Sequence, residues 1–202
     1  MHISEGVLSA PVLLGGAVLA AAGTAIGLRK TDYDHLMTVA ILSAAFFVGS
    51  LIHVPIGPSS AHLVLNGLLG AILGWAAFPA ILTALFLQAV LFQYGGVTAL
   101  GVNAFNMAFP AVICFYLFRP LMLHSGLRRT VGAFCCGFFG VLLAGLLTAA
   151  SLAFTDEGFL AAAKIILIGH IPIMIIEGII TAAAVGFLSK TRPEILQAHL
   201  TN

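Results

Sequence analysis

Residues 8–30 read LSAPVLLGGAVLAAAGTAIGLRK. No charge interrupts the run from Leu8 to Leu28, and two cations close it. As a helix this stretch covers about 30 Å, the thickness of a bilayer's hydrocarbon core. A secretory leader carries its cations ahead of the apolar run, whereas here Glu5 precedes it and Arg29 and Lys30 follow. The segment is therefore expected to be an uncleaved membrane span with its amino end outside.

The rest of the chain has the same character. Of 202 residues, 61% are apolar and 7% charged, and the mean hydropathy is +1.14. A water-soluble globule keeps a charged skin that this composition cannot supply. The strict apolar–polar alternation of a membrane barrel is missing. The expected fold class is an all-α polytopic membrane protein, a bundle of seven transmembrane helices in one integral domain over residues 1–202. Its spans fall at about 8–28, 35–53, 62–77, 79–93, 103–122, 130–154 and 160–188, and Pro79 is expected to divide a tight helical hairpin. Counted this way, Arg29, Lys30, Arg119, Arg128, Arg129, Lys190 and Arg192 share the inner side. Lys164 alone falls outside, which suits the positive-inside rule and puts the carboxyl end inside.

Several classes of function are excluded or disfavoured. The net charge of +1 gives nucleic acid nothing to bind. Cys114, Cys135 and Cys136 lie in apolar runs and read as packing residues. No GxxxxGK[ST] sequence occurs, so a P-loop nucleotide site is not expected. Ser59 and Ser60 sit in GPSSAH without a nucleophile-elbow glycine, which disfavours an intramembrane serine protease using His170 as base. The chain is not expected to be an enzyme.

The second span delivers HVPIGPSSAH, residues 53–62, to the side that holds Met1 and His2. His2, His53 and His62 are thus expected on one face. A chain that begins Met-His offers three nitrogens in sequence: the terminal amine, the amide of His2 and its imidazole Nδ1. Amine and amide close a five-membered chelate ring, and amide and Nδ1 a six-membered one. The three donors are nearly coplanar, and one further nitrogen would complete a square. Square-planar nitrogen donors suit Ni(II) or Cu(II), while Mg(II) and Ca(II) want oxygen and Zn(II) a tetrahedron.

The stretches MHISEGVLS (1–9), HVPIGPSSAHLVLNGLLG (53–70), FQYGGVTALGVNAFNM (92–107) and GHIPIMIIEGIIT (169–181) resemble the CbiM/NikM family, the substrate-binding membrane components of cobalt and nickel energy-coupling-factor transporters. They cover most of the chain and come in family order. The resemblance implies a seven-span bundle with an extra amino-terminal helix. It implies metal ligation by Met1 and His2, with His62 as the fourth donor. It also implies that Ni(II) or Co(II) is the transported substrate and that no nucleotide binds this chain. Its implied partners are a transmembrane coupling subunit, two cytoplasmic ATPase subunits and a small auxiliary membrane subunit. Its implied setting is the cytoplasmic membrane of a bacterium or archaeon. Nickel and cobalt are not told apart by these residues.

Further polar residues stand in or beside apolar runs. His53 and Ser60 lie in the Gly-Pro loop. Asn103 and Asn106 follow the glycines of YGGVTALG and are expected to orient the ligands from beneath. His170 and Glu177, seven residues apart on one helical face, are expected to orient the ligands or carry the cation inward. In the competing reading they form the proton relay of a gradient-driven secondary transporter. Small residues four apart, such as Gly70 and Gly74, mark close helix packing.

Overall fold

The computed structural model describes residues 2–51, 53–56 and 59–197, with the side chains of 53–61, 157, 160, 163 and 197 left aside. Met1 and the side chains of His53 and Ser60, all expected at the metal site, therefore lie outside what is described. The elements are α1 (Ala10–Lys30), α2 (Leu36–Gly49), β1 (His53–Ile56), β2 (Ser59–His62), α3 (Asn66–Leu73), α4 (Ala77–Phe92), α5 (Leu100–Met122), α6 (Leu127–Ala153), α7 (Leu160–Gly169), α8 (Ile171–Thr191) and α9 (Pro193–Gln197).

α1 forms where the first apolar run predicts it. Pro11 enters at the first turn, where no intrahelical N–H is needed, and Arg29 and Lys30 meet the negative end of the helix dipole. Thr31 Oγ1 closes the last turn by donating to the Gly27 carbonyl at 2.8 Å.

Contacts give each helix a direction. Gly49 of α2 approaches Leu65, and Val39 lines a cleft with Ile72, so α3 runs against α2. Ser43 Oγ donates to the Ala80 carbonyl and Gln88 Nε2 to the Phe47 carbonyl, so α4 runs with α2. The chain therefore reverses between α3 and α4. It does so at Gly74, whose φ of +54° is open to glycine and costly for other residues. Pro79, the expected divider, sits instead in the first turn of α4, a position proline tolerates. α5 runs parallel to α3, with Asn66 beside Met107 and Gly70 against the Ala111 carbonyl. α6 runs against α5, with Asn106 beside Ser151 and Gly132 against Leu121, and α8 packs on α6 where Gly137 meets Glu177.

Several boundaries differ from the sequence reading. Among the described residues, five stretches are long and apolar enough to cross a membrane: Ala10–Lys30, Asn66–Phe92, Leu100–Met122, Leu127–Ala153 and Ile171–Thr191. A shorter apolar stretch spans Tyr33–Gly49. The expected seven spans are not matched one for one. Asn66–Phe92 contains the reversal at Gly74, and its α3 arm is only about 12 Å long. The expected final span is divided at His170, because Pro172 has no N–H to return to Ile168. The loop before the third span is not irregular either. β1 and β2 pair antiparallel with His53 opposite His62 and Pro55 opposite Ser60. His62 therefore ends a strand, and the helix begins four residues later.

The core is drawn mainly from α3, α4, α5 and α6, through residues such as Leu69, Ile81, Met107, Ala111 and Val141. Cys114 and Cys136 are buried free thiols within it, and Cys136 Sγ lies 3.3 Å from the Gly67 carbonyl. Glycines let backbones touch. A Cβ on Gly137 would stand 2.5 Å from the Glu177 carbonyl oxygen and 2.6 Å from Thr181 Oγ1. Gly137→Val is expected to destabilise the bundle by at least about 1–3 kcal/mol, because a backbone carbonyl cannot step aside. Gly15 has open space around it. A thermal melt in detergent should show a lowered Tm for Gly137→Val and none for Gly15→Ala.

Candidate metal centre

The amino-terminal segment is drawn into the protein. His2 is 5% exposed and Ile3 fully buried. Buried extended backbone needs partners, and Asn103 supplies both. The Ile3 N–H donates to Asn103 Oδ1 at 2.9 Å, and Asn103 Nδ2 donates to the Ile3 carbonyl at 3.0 Å. This is a side-chain imitation of strand pairing, made by a residue on the first turn of α5. The loop before α5 closes over the segment. Gly95 and Gly96 have φ of +77° and +86°. A Cβ on Gly95 would stand 2.9 Å from Asn103 Nδ2 and 3.4 Å from the His2 ring, and one on Gly96 would strike Glu5. Glu5 Oε1 in turn accepts from the Thr98 N–H at 3.3 Å.

His62 arrives from the opposite side, at the end of β2. Its ring lies 4.6 Å from that of His2, centroid to centroid, with 30° between the planes. His62 Nδ1 lies 2.7 Å from the Leu63 carbonyl. A carbonyl only accepts, so Nδ1 carries the proton and Nε2 keeps its lone pair. Nε2 is shielded from solvent and has no hydrogen-bond partner among the described residues. Burial above all, then neighbouring positive charge including that of His2, holds the His62 pKa well below its ordinary value. The imidazole is therefore neutral, the form that can donate to a metal ion.

The floor beneath His62 is fastened by Glu177. Its Oε1 accepts from the N–H of Val64 at 2.5 Å and of Leu65 at 2.8 Å. Leu65 has a φ of +51°, strained for a branched side chain, and the carboxylate holds it there. Glu177 is fully buried on α8. Asn66, the next residue, donates from Nδ2 to the carbonyls of Met107 and Gly140, at 3.1 and 3.0 Å. His170, also fully buried, mirrors His62. Its Nδ1 donates to the Ile166 carbonyl at 2.6 Å, leaving Nε2 without a hydrogen-bond partner among the described residues. It lies near enough that charge on it would disfavour charging His62.

The expected residues thus sort by place. His2 and His62 meet. Asn103 holds the residue next to His2, Glu177 holds the backbone after His62, and His170 stands nearby. Asn106 does not join them, since its Nδ2 donates to Ser151 Oγ at 3.1 Å and ties α5 to α6. Among the described residues, no three histidine, cysteine, aspartate or glutamate side chains are arranged to hold one ion. Two imidazoles are what the described part contributes. The sequence reading missed Asn66 as part of this end. Its signal was an asparagine at the start of an apolar helix.

Comparison with known proteins adds the family. Residues 2–195 match the family model described as CbiM, cobalt uptake substrate-specific transmembrane region. A Haemophilus influenzae protein, provisionally named a metal transport protein, is 46% identical over 203 residues, covering 97% of each chain. The cobalt transport protein CbiM of Kyrpidia tusciae is 31% identical, covering 97% of this chain and 86% of its own. The fused nickel transport protein NikMN of Rhodobacter capsulatus is 34% identical, but this chain spans only 64% of it. A crystal structure of a truncated transition metal transporter superposes with a TM-score of 0.81 at 32% identity, covering 95% of this chain and 99% of that one.

The clamp on Ile3 is open to test. Asn103→Leu leaves a buried N–H and a buried carbonyl unpaired, at about 1–3 kcal/mol each. Amide exchange at Ile3 should become fast in this variant, while amides in the middle of α5 keep their protection.

Proposed function

The chain belongs to the CbiM family of transition-metal transport components, and from that membership we propose that it captures Ni(II) or Co(II) at the end of the bundle where His2 meets His62. A multi-pass protein of the prokaryotic cell membrane, it is a cobalt/nickel transport component of CbiM type. In the proposed site the terminal amine of Met1, the amide and imidazole of His2, and Nε2 of His62 form a four-nitrogen square around the ion. The single observation that carries this reading is the close approach of two imidazoles, 4.6 Å apart and tilted by 30°, from chain segments sixty residues apart, with His62 Nδ1 engaged by the Leu63 carbonyl and Nε2 left for the ion.

The cationic residues at the other end of the bundle, Arg29, Lys30, Arg119, Arg129 and Lys190, favour a cytoplasmic setting for that end, so the histidines face outward. Capture is then outside and release inside. ATP hydrolysis by two separate cytoplasmic subunits, transmitted by a membrane coupling subunit and aided by a small auxiliary one, supplies the energy. Glu177 and Asn103 position the ligands: they satisfy the backbone beside His62 and His2, and so fix where those rings point. His170, buried close enough to act on His62, is a further imidazole for an ion moving inward.

Metal analysis of protein with an unmodified amino end tests the chelate. One added residue before Met1 moves the amine away from His2, and His62→Ala removes the fourth nitrogen. Each is expected to reduce nickel affinity by more than the ~10–100-fold that loss of an outer partner costs. Full binding by the extended protein would overturn the chelate. Glu177→Leu strands two buried N–H groups, whereas Glu177→Gln keeps one carbonyl acceptor. Nickel affinity should fall by about 10–100-fold in the first and less in the second, with the visible band of bound nickel shifted in the first. Vesicles containing this chain alone should not accumulate metal against a gradient. Uptake driven there by a pH gradient would favour the proton-relay reading of His170 and Glu177.

A further inference from the structure

At the end of the bundle far from the histidines, a groove of about 890 Å³ opens between the end of α1, residues 31–34, the reversal at Gly74 and α5. Three cations line it, Arg29, Lys30 and Arg119, together with the rings of Trp75, Phe115 and Tyr116. Lys30 Nζ stands 5.8 Å from the centre of the Trp75 ring, and the Arg119 guanidinium carbon 4.8 Å from that of Phe115. Among the described residues none of the three cations has an acidic partner. Arg119 Nη2 is shielded from solvent and has no hydrogen-bond partner there. Trp75 Nε1 donates to Tyr116 Oη at 3.0 Å, so the Tyr116 proton is left to be given elsewhere.

Two carboxylates also border the groove. Asp32 is engaged with His35 Nδ1 at 3.0 Å and with the Asp34 N–H, while Asp34 is exposed at the rim. The inner wall is therefore positive. A guanidinium, an ammonium and a phenolic proton around one cavity select an anion with several acceptor oxygens, and phosphate meets that need. The flank of the groove decides how the anion arrives. α1 is little covered by the rest of the protein, with 22% of its apolar window buried, so the groove borders the surface that faces lipid. Tryptophan and tyrosine at a helix end mark headgroup depth, and basic pockets between spans at the cytoplasmic side suit acidic headgroups.

We propose that this groove binds the phosphate of an anionic phospholipid headgroup, with Arg119 and Lys30 as its charge partners and Tyr116 as a hydrogen-bond donor. The site is independent of metal capture. Trp75 is the only tryptophan in the chain and forms part of the wall, so its emission reports occupancy directly.

The full chain in detergent is titrated with short-chain phosphatidylglycerol, short-chain phosphatidylcholine and inorganic phosphate. Trp75 emission should change saturably with phosphatidylglycerol and respond weakly or not at all to the other two. Arg119→Gln and Lys30→Gln should each weaken phosphatidylglycerol about fivefold or more, the worth of one cation near an anionic surface. A thermal melt shows whether each variant is folded. Should Arg119→Gln fail to fold, the exposed Lys30 carries the test. Equal responses to the two lipids, or undiminished affinity in the folded variants, overturn the proposal. Inorganic phosphate binding as tightly as phosphatidylglycerol overturns the lipid assignment.

Discussion

Backbone amides buried in an apolar bundle must find partners inside the protein, because lipid offers none. Helices meet that demand within themselves. Among the described residues, two segments that do not are His2–Ile3 and the stretch from His62 to Leu65. Each is buried, and each is satisfied by one polar side chain from a distant helix. Asn103 pairs with Ile3 and Glu177 with Val64 and Leu65. Remove that constraint and neither His2 nor His62 has a fixed direction.

The same requirement explains why these polar groups stand where they do. Asn103 sits in the first turn of α5, next to the glycine loop that lets the chain start pass close by. Glu177 sits where Gly137 has cleared space for α8 to approach α6. Small residues and polar clamps therefore work together: the first bring backbones near, and the second tie irregular chain to the regular scaffold. The tautomer of His62 follows from the same logic, since its Nδ1 is committed to its own neighbour's carbonyl and Nε2 faces the interior.

Much of this was legible in the sequence. Composition and uncharged runs gave the membrane class, and the flanking cations gathered Arg29, Arg119 and Lys190 at one end. The alternation of spans put His2 and His62 at the other, where the rings are found together. What was not legible is local or long-range in particular ways. The reversal belongs to Gly74 and not Pro79, because a proline is as much at home in a first helical turn as between helices. The β1–β2 hairpin escaped notice because Gly57 and Pro58 also read as plain loop. Asn103 was expected to orient ligands, but its partner Ile3 is 100 residues away and has no sequence signature. Glu177 was expected to orient the ligands, carry the cation or relay protons, but its partners Val64 and Leu65 lie more than 110 residues away and have no sequence signature.

In the proposed centre, two imidazoles and the chain start enclose one ion in a nitrogen square. X-ray absorption at the nickel edge, on protein with its native amino end, addresses it most directly. The account requires a four-coordinate planar ion with nitrogen neighbours only and the outer scattering of two imidazole rings. A sulfur neighbour, a six-coordinate oxygen shell or a single imidazole would contradict it.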